Sequence, residues 1–315
     1  MSTLIAFSLQ RGLSLWIILE VNFLSFIGLL SISPLSGANT SLNYFLVQAL
    51  GRRIMLIRLI LLLARSSFLY TTLFFYALVM KLGGAPFHNW YLMLVQKLSW
   101  RFIWVLACWQ KIIPLLIISL NMYSHISLVI WATILVGSFG TVKQSSVKKI
   151  FAFSSIFTLG WILAAILIRK LNWLSFFSGY AIRLGGFVLC VSAAWPMSTK
   201  RHESYHRLSF IILLFTMLLA MRGIPPFLGF FLKLLVLNQV LTLSTALAMA
   251  LVSLRLLIIA AYLRVIFNLL TLINSSTLNL VFSFEEKSVA FEFIVLNRAL
   301  SILFLNFRIC NLLHK

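Results

Sequence analysis

"VMKLGGAPFHNW", residues 79–90, fixes the class of molecule. An apolar run from Phe68 to Met80 ends in Lys81. Gly83, Gly84 and Pro86 then interrupt the backbone, His88 follows, and the sequence turns apolar again with no acidic residue nearby. A lysine that closes such a run beside backbone breaks belongs in a chain whose solvent is largely lipid.

The whole sequence agrees. Of its 315 residues 62% are hydrophobic and 10% charged, with a mean hydropathy of +1.06. Soluble domains carry about 25% charged residues. A bilayer core needs about 20 apolar residues per helix, so the chain has room for about ten to eleven transmembrane helices. The expected fold is all-α and polytopic, one membrane domain over 1–315. Spans are read at 12–33, 41–65, 67–82, 99–120, 124–142, 147–168, 172–195, 208–241, 244–271 and 289–312. Residues 87–97 are too short to cross and read as an interfacial or re-entrant helix, with Trp90 and Tyr91 suited to the headgroup level. No cleavable leader or transit peptide is expected at the N-terminus.

The stretch 208–241 is too long for one plain helix and contains "GIPPFLGF" at 223–230. Pro225 and Pro226 lack amide donors and free the carbonyls of Met221 and Arg222. A discontinuous helix is expected there, a device of transporter binding sites. Orientation follows from basic loops. Lys143, Lys148 and Lys149 lie in the 143–149 turn, and Lys200, Arg201 and Arg207 in the 196–207 loop, two helices apart and so on one side.

Several function classes drop out. The net charge of +21 usually suggests nucleic acid or anionic lipid. Here many arginines sit inside apolar runs rather than along a solvated stripe, which argues against nucleic acid. Cys108, Cys190 and Cys310 are far apart in apolar segments and suggest neither metal ligation nor disulfides. No phosphate loop, paired carboxylates or nucleophilic triad is present. His202 and His206 flank Glu203 at helical spacing but read as part of a basic loop, and Glu285, Glu286 and Lys287 as solvated.

Four buried charges remain. Glu20, in "LWIILEVNFLSF", is the only acidic residue of the first two hundred and sits near the middle of its span. A charge at mid-membrane is costly and marks a functional site by default; the plainer alternative is an interfacial Glu. Lys111, in "WQKIIP", stands beside the Gln110 carbonyl that Pro114 frees. Snorkelling is its plainer alternative, but it is far from both ends of its span. Lys233 follows the proline break by about two turns. Lys81 is the most ordinary by position, and the "GGAPFH" break with the titratable His88 moves it to the functional side. Desolvation disfavours the charged form of any buried group, and an opposite charge restores it. A row of one Glu and three Lys can therefore exchange protons near neutrality without metal or organic cofactor. In this reading Lys81 carries protons and its acidic partner comes from another helix. His88 is a further, weaker candidate.

At these same residues the chain resembles a known family. "LEVNFLSF" (19–26), "SLNYFLVQAL" (41–50), "KLGGAPFHNW" (81–90), "LSW…CWQKIIP" (98–114), "QSSVKKIFAFSSIFTLGW" (144–161), "GIPPFLGFFLK" (223–233) and "AYLRV" (261–265) occur in this order. The ordered set resembles the subunit 2 family of NADH dehydrogenase, mitochondrially encoded antiporter-like subunits of the membrane arm of respiratory complex I. "GAPFH" and "WQK" favour it over the larger subunits 4 and 5. The resemblance implies an antiporter-like fold in which a glutamate and later lysines form a proton path along the central plane, here Glu20, Lys81, Lys111 and Lys233. It implies proton translocation coupled to electron transfer from NADH to ubiquinone, in the mitochondrial inner membrane. No cofactor is expected in this chain; NADH, FMN, iron–sulfur clusters and ubiquinone belong to other subunits. The implied partners are the other membrane-arm subunits and membrane lipid, cardiolipin included. There are departures. The short helix that precedes the Glu20 helix in animal relatives is truncated or missing, and "SIFTLGW" stands where the family often has "SINHLGW", with Phe157 and Thr158 in place of the polar pair. The alternatives are a related multi-subunit cation/proton antiporter and a structural scaffold that does not pump.

The arginines break the pattern. Arg52, Arg53, Arg58, Arg65, Arg183, Arg222 and Arg255 fall where lipid or packed helix is expected. Each mid-span arginine costs at least about 2.5 kcal/mol on insertion scales. With serine at these places, "QALGSSIMLISLILLLASSS" and "MSGIPPFLGF" are ordinary packed membrane helices. Many invertebrate mitochondria, as the family suggests, read AGA and AGG as serine, and some as glycine. Many of these arginines are thus expected to be serine in the protein the cell makes, with Arg264 of "YLR" an exception.

Overall fold

A computed structural model of the chain describes residues 12–32, 38–61, 68–121, 123–168, 172–194, 215–225 and 227–274. The span read at 289–312, the 196–207 loop, Arg65, the Glu285–Lys287 stretch and Cys310 lie outside these residues, as does the side chain of Arg58.

The apolar runs fold as helices, and the described residues contain no strand. Lipid offers backbone N–H and C=O groups no partner, so a helix, which satisfies them internally, is what such a sequence can form. In chain order these are α1 (Gly12–Ile32), α2 (Ala38–Leu61), α3 (Phe68–Leu82), α4 (Asn89–Lys97), α5 (Trp100–Leu120), α6 (Ile126–Lys143), α7 (Val147–Leu167), α8 (Asn172–Ala194), α9 (215–222), α10 (Leu228–Leu241) and α11 (Thr245–Asn274). The expected spans are reproduced within a few residues wherever the structure describes them. Within α5, Val105–Trp109 is wound as a π-helix directly before Lys111, a widening frequent at functional sites.

Helix α7 is the spine. Its side chains from Ile150 to Ile166 are almost all buried, and it packs against α4, α6, α8, α10 and α11. Among the described helices α6 and α7 form the most extensive pairing. Gly137 permits it, because a Cβ there would lie 2.7 Å from the backbone nitrogen and 2.8 Å from the Cα of Phe157. Backbone cannot step aside as a flexible side chain can. Gly137→Ala should therefore destabilise the hairpin by about 1–3 kcal/mol, the usual cost of overpacking. The check is the yield of assembled protein and its thermal midpoint.

Helix α4 corrects an expectation. Trp90 and Tyr91 do not present their rings to the surroundings of the bundle but are buried in protein, 9% and 1% exposed. The Trp90 indole donates to the Met80 carbonyl at the end of α3 (3.0 Å), and α4 packs inward on α2 and α7. The Met80 carbonyl at this helix end already accepts from the Gly83 amide (3.2 Å), and the "GGAP" turn brings the indole back as a second donor.

The "GIPPF" break behaves as its prolines dictate. α9 ends at residue 222, Gly223 takes φ +65°, and α10 starts at Leu228. A left-handed turn of that kind suits a residue without Cβ.

Candidate functional site

The buried charges fall into two cavities on either side of α7. The first is lined by Asn22, Gln48, Lys81, Tyr91, Gln110 and Lys111, closed by apolar and aromatic neighbours. α3 supplies Lys81, 8% exposed, and α5 supplies Lys111, 4% exposed. The Lys111 ammonium lies over the Tyr91 ring, 4.8 Å from its centroid, a contact that stabilises a cation where no anion is at hand. Asn22 donates to the Gln110 side chain (3.1 Å) and so ties α1 to α5 beside Lys111. Gln48 donates to the Lys81 carbonyl (3.5 Å).

Glu20 lies at the flank of this cavity and is 28% exposed at its side chain. No ion pair joins it to Lys81. Glu20 pairs with Arg52 of α2, the one ion pair among the described residues. The reason is reach: Arg52 leaves α2 between α1 and α3, spreads over the Phe23 ring 3.8 Å from its centroid, and meets the carboxylate first. One carboxylate oxygen, Oε2, is buried without a hydrogen-bond partner.

The second cavity is lined by Ser154, Phe157, Thr158, Tyr180, Met221, Arg222, Lys233, Arg255 and Ile258. Pro226 leaves the Arg222 carbonyl without its helical donor, as the sequence predicts, and Lys233 takes that place: its Nζ donates to the Arg222 oxygen at 2.9 Å. Lys233 is 5% exposed. Arg255 donates to the same oxygen (3.2 Å) and to the Gly223 carbonyl. Arg183 donates to the carbonyls of Gly179 (2.8 Å) and Ala220 (3.5 Å), and the Arg222 guanidinium stacks on Tyr262 at 3.0 Å from the ring centroid. Four cations thus meet at one helix break, and no described acidic side chain lines that cavity.

His88 stands apart from both cavity linings. Its Nδ1 lies 3.1 Å from the Pro86 carbonyl. Burial lowers its pKa from the ordinary value, against the opposing pull of that carbonyl. Among the described residues no cluster of His, Cys, Asp or Glu could hold a metal ion. Sequence reasoning did not foresee Tyr91, Gln48 and Tyr180 as cavity residues. The only signal was a polar group within apolar sequence, since neutral polar residues packed between membrane helices have no periodic signature.

Comparison with known proteins supplies the family. Residues 11–258 match the family model described as NADH:quinone oxidoreductase/Mrp antiporter, TM. The NADH-ubiquinone oxidoreductase chain 2 of Anopheles gambiae is 35% identical over 270 residues, covering 80% of this chain and 79% of that one. This chain belongs to the NADH-ubiquinone oxidoreductase chain 2 family. Members of the wider antiporter-like class share its fold. Respiratory complex I from Thermus thermophilus contains a chain that superposes with a TM-score of 0.72 at 18% identity, over 73% of that chain and 93% of this one. The Mrp complex from Dietzia sp. gives a TM-score of 0.69 at 20% identity over 80% of this chain, which spans 55% of its counterpart. The chain 2 family is a multi-pass membrane family, in keeping with six helices here long and apolar enough to cross a bilayer among the described residues.

Proposed function

We propose that this chain, a membrane-arm subunit of respiratory complex I by its family, carries protons through the membrane along Glu20, Lys81, Lys111 and Lys233. The observation that carries the reading is the burial of three lysines in two cavities, none of them in an ion pair among the described residues. A scaffold gains nothing from such groups, since each costs several kcal/mol to bury. A carrier needs them, because a group held near the balance of its charged and neutral forms can take up and release a proton within the membrane. The assembled enzyme is an NADH:ubiquinone reductase that translocates protons. In this reading the chain has no redox site of its own: NADH, FMN, iron–sulfur clusters and ubiquinone are bound by other subunits. It works in the mitochondrial inner membrane, against the other membrane-arm subunits and cardiolipin. The chain 2 name of its relatives favours this role over that of a stand-alone cation/proton antiporter.

Lys233→Met tests the reading at the second cavity. The assembled complex should pump fewer protons per electron, since methionine keeps the side chain's volume while the cavity loses its ammonium. Proton uptake by vesicles, measured against NADH oxidation, is the readout. An unchanged ratio in fully assembled complex would sink the role of Lys233.

A further inference from the structure

Lys111 sits where α5 is least able to hold a side chain by itself. The π-helical turn Val105–Trp109 widens the helix just before it, and the Gln110 amide reaches back to the Val105 carbonyl. Pro114 follows inside the helix, with no amide to offer the Gln110 carbonyl. Residues 110 and 111 thus lie between two breaks in the regular ladder. Each residue gained or lost in the winding there turns Lys111 about the helix axis by about 100°.

A contact from outside α5 falls at this point. The side chains of Asn22 and Gln110 form a reciprocal amide pair between α1 and α5. Asn22 Nδ2 donates to Gln110 Oε1 at 3.1 Å, and Gln110 Nε2 donates to Asn22 Oδ1 at 3.5 Å. Asn22 is buried, and both amides line the cavity that holds Lys81 and Lys111. Two amides facing each other fix distance and angle together, because each supplies a donor and an acceptor. Neither ionises, so the pair carries no proton itself. α1 packs more widely on α2 than on α5, and the pair marks its crossing with α5, next in sequence to Lys111. The group that Lys111 faces is also fixed. Tyr91 of α4 meets the Lys111 ammonium with its ring, and its hydroxyl accepts from Ser155 of α7 at 2.8 Å.

We propose that Asn22 and Gln110 are positioning residues: their amide pair sets the rotation of α5 at its irregular turn and aims the Lys111 ammonium at the Tyr91 ring. The proposal rests on the proton-carrier reading of Lys111 and adds the groups that hold it in place. A tie that only joined two membrane helices would serve at any level of their crossing. This one stands between the π-helical turn and the lysine, where rotation of the backbone decides where the ammonium points.

Three variants of the assembled complex test it. The first replaces both Asn22 and Gln110 by leucine. It leaves no amide unpaired, so assembly yield and thermal midpoint should stay near those of wild type. Transfer through the first cavity should nevertheless slow by about 10²-fold, the effect of a misplacement of about 1 Å. Pumped protons per electron should fall toward the level of the second variant, Lys111→Met. The third exchanges the partners, Asn22→Gln with Gln110→Asn. It rebuilds an amide pair of the same total length and should restore the ratio. A pair that merely stabilises the bundle predicts instead that equally stable complexes pump alike. Wild-type pumping in the double leucine variant, with Lys111→Met impaired, overturns the positioning role and leaves the lysine path standing. So does an exchange variant that pumps no better than the double leucine one. Wild-type pumping in Lys111→Met overturns the path itself, and the positioning role with it. Should the double leucine variant not assemble, Gln110→Met, which nearly keeps the volume of glutamine, decides by the same ratio.

Discussion

Methionine in place of Lys111 should give a complex that assembles normally and pumps fewer protons for each electron passed to quinone. Lys111 is 4% exposed and its ammonium has an aromatic ring, not an anion, as its partner. Methionine fills nearly the same volume and needs no hydrogen bond, so packing should survive, and a volume-conserving swap costs under about 1.5 kcal/mol. Removing an uncompensated buried cation also relieves a desolvation cost of several kcal/mol. Stability should thus be level or slightly higher, while function falls. A positioned proton carrier contributes about 10²–10⁴-fold to its transfer step, and transfer through the first cavity should slow by about that factor. Where pumping and electron flow are tightly coupled, NADH–quinone turnover slows with it. The checks are native gel assembly, NADH oxidation, and acidification of sealed vesicles. A wild-type ratio of protons to electrons in fully assembled Lys111→Met complex ends the assignment. Lys81→Met should act in the same direction, because both lysines line one cavity.

Much of this site was legible because membrane burial makes charge conspicuous. In a soluble protein Lys111 would be one surface lysine among many. Here it interrupts an apolar span beside Pro114, and sequence alone placed it in the interior. The "GIPPF" break was equally plain, since proline chemistry fixes which carbonyls are freed, and the structure puts Lys233 on one of them. Tertiary partners were less visible. Tyr91 looked like a headgroup residue because an amphipathic ring beside a tryptophan suits an interface. The fold instead uses the pair inside, where Trp90 closes the end of α3 and Tyr91 meets Lys111 and Ser155. Neighbours on other helices decide between these fates, and the hydrophobic pattern of one helix does not encode them. The same limit applies to Glu20. Its place in α1 was readable, whereas its choice of Arg52 over Lys81 depended on how far a side chain from α2 reaches.

Peptides covering residues 50–57 from the native protein should show serine where the sequence has Arg52 and Arg53, and peptides covering 183, 222 and 255 should do the same. The positions of these side chains carry the case. Arg53 is exposed on α2, on the same face as Leu46, Leu50 and Ile57, which are 58%, 55% and 51% exposed. On such an exposed apolar face of a membrane helix an arginine costs at least about 2.5 kcal/mol wherever it meets lipid. Arg183, Arg222 and Arg255 crowd Lys233 around one helix break, and the Nε atoms of Arg222 and Arg255 are buried without partners. Like charges gathered in a low-dielectric site repel strongly, and no described acidic side chain offsets them. Arg264 differs in kind: it donates to the Val142 carbonyl in the last turn of α6 (3.2 Å), at the basic end of the bundle where a cation suits the helix terminus. Serine at the interior positions leaves each cavity with only its lysines and packs as small polar residues do between membrane helices. It also releases Glu20 from Arg52. The double substitution Glu20→Gln with Lys81→Met should then cost less than the sum of the singles, the mark of a coupled pair. Masses showing arginine at 52, 53, 183, 222 and 255, or CGN codons at those positions, would end the idea. The second cavity would then hold four cations that only an anionic lipid or an acidic neighbouring subunit could balance.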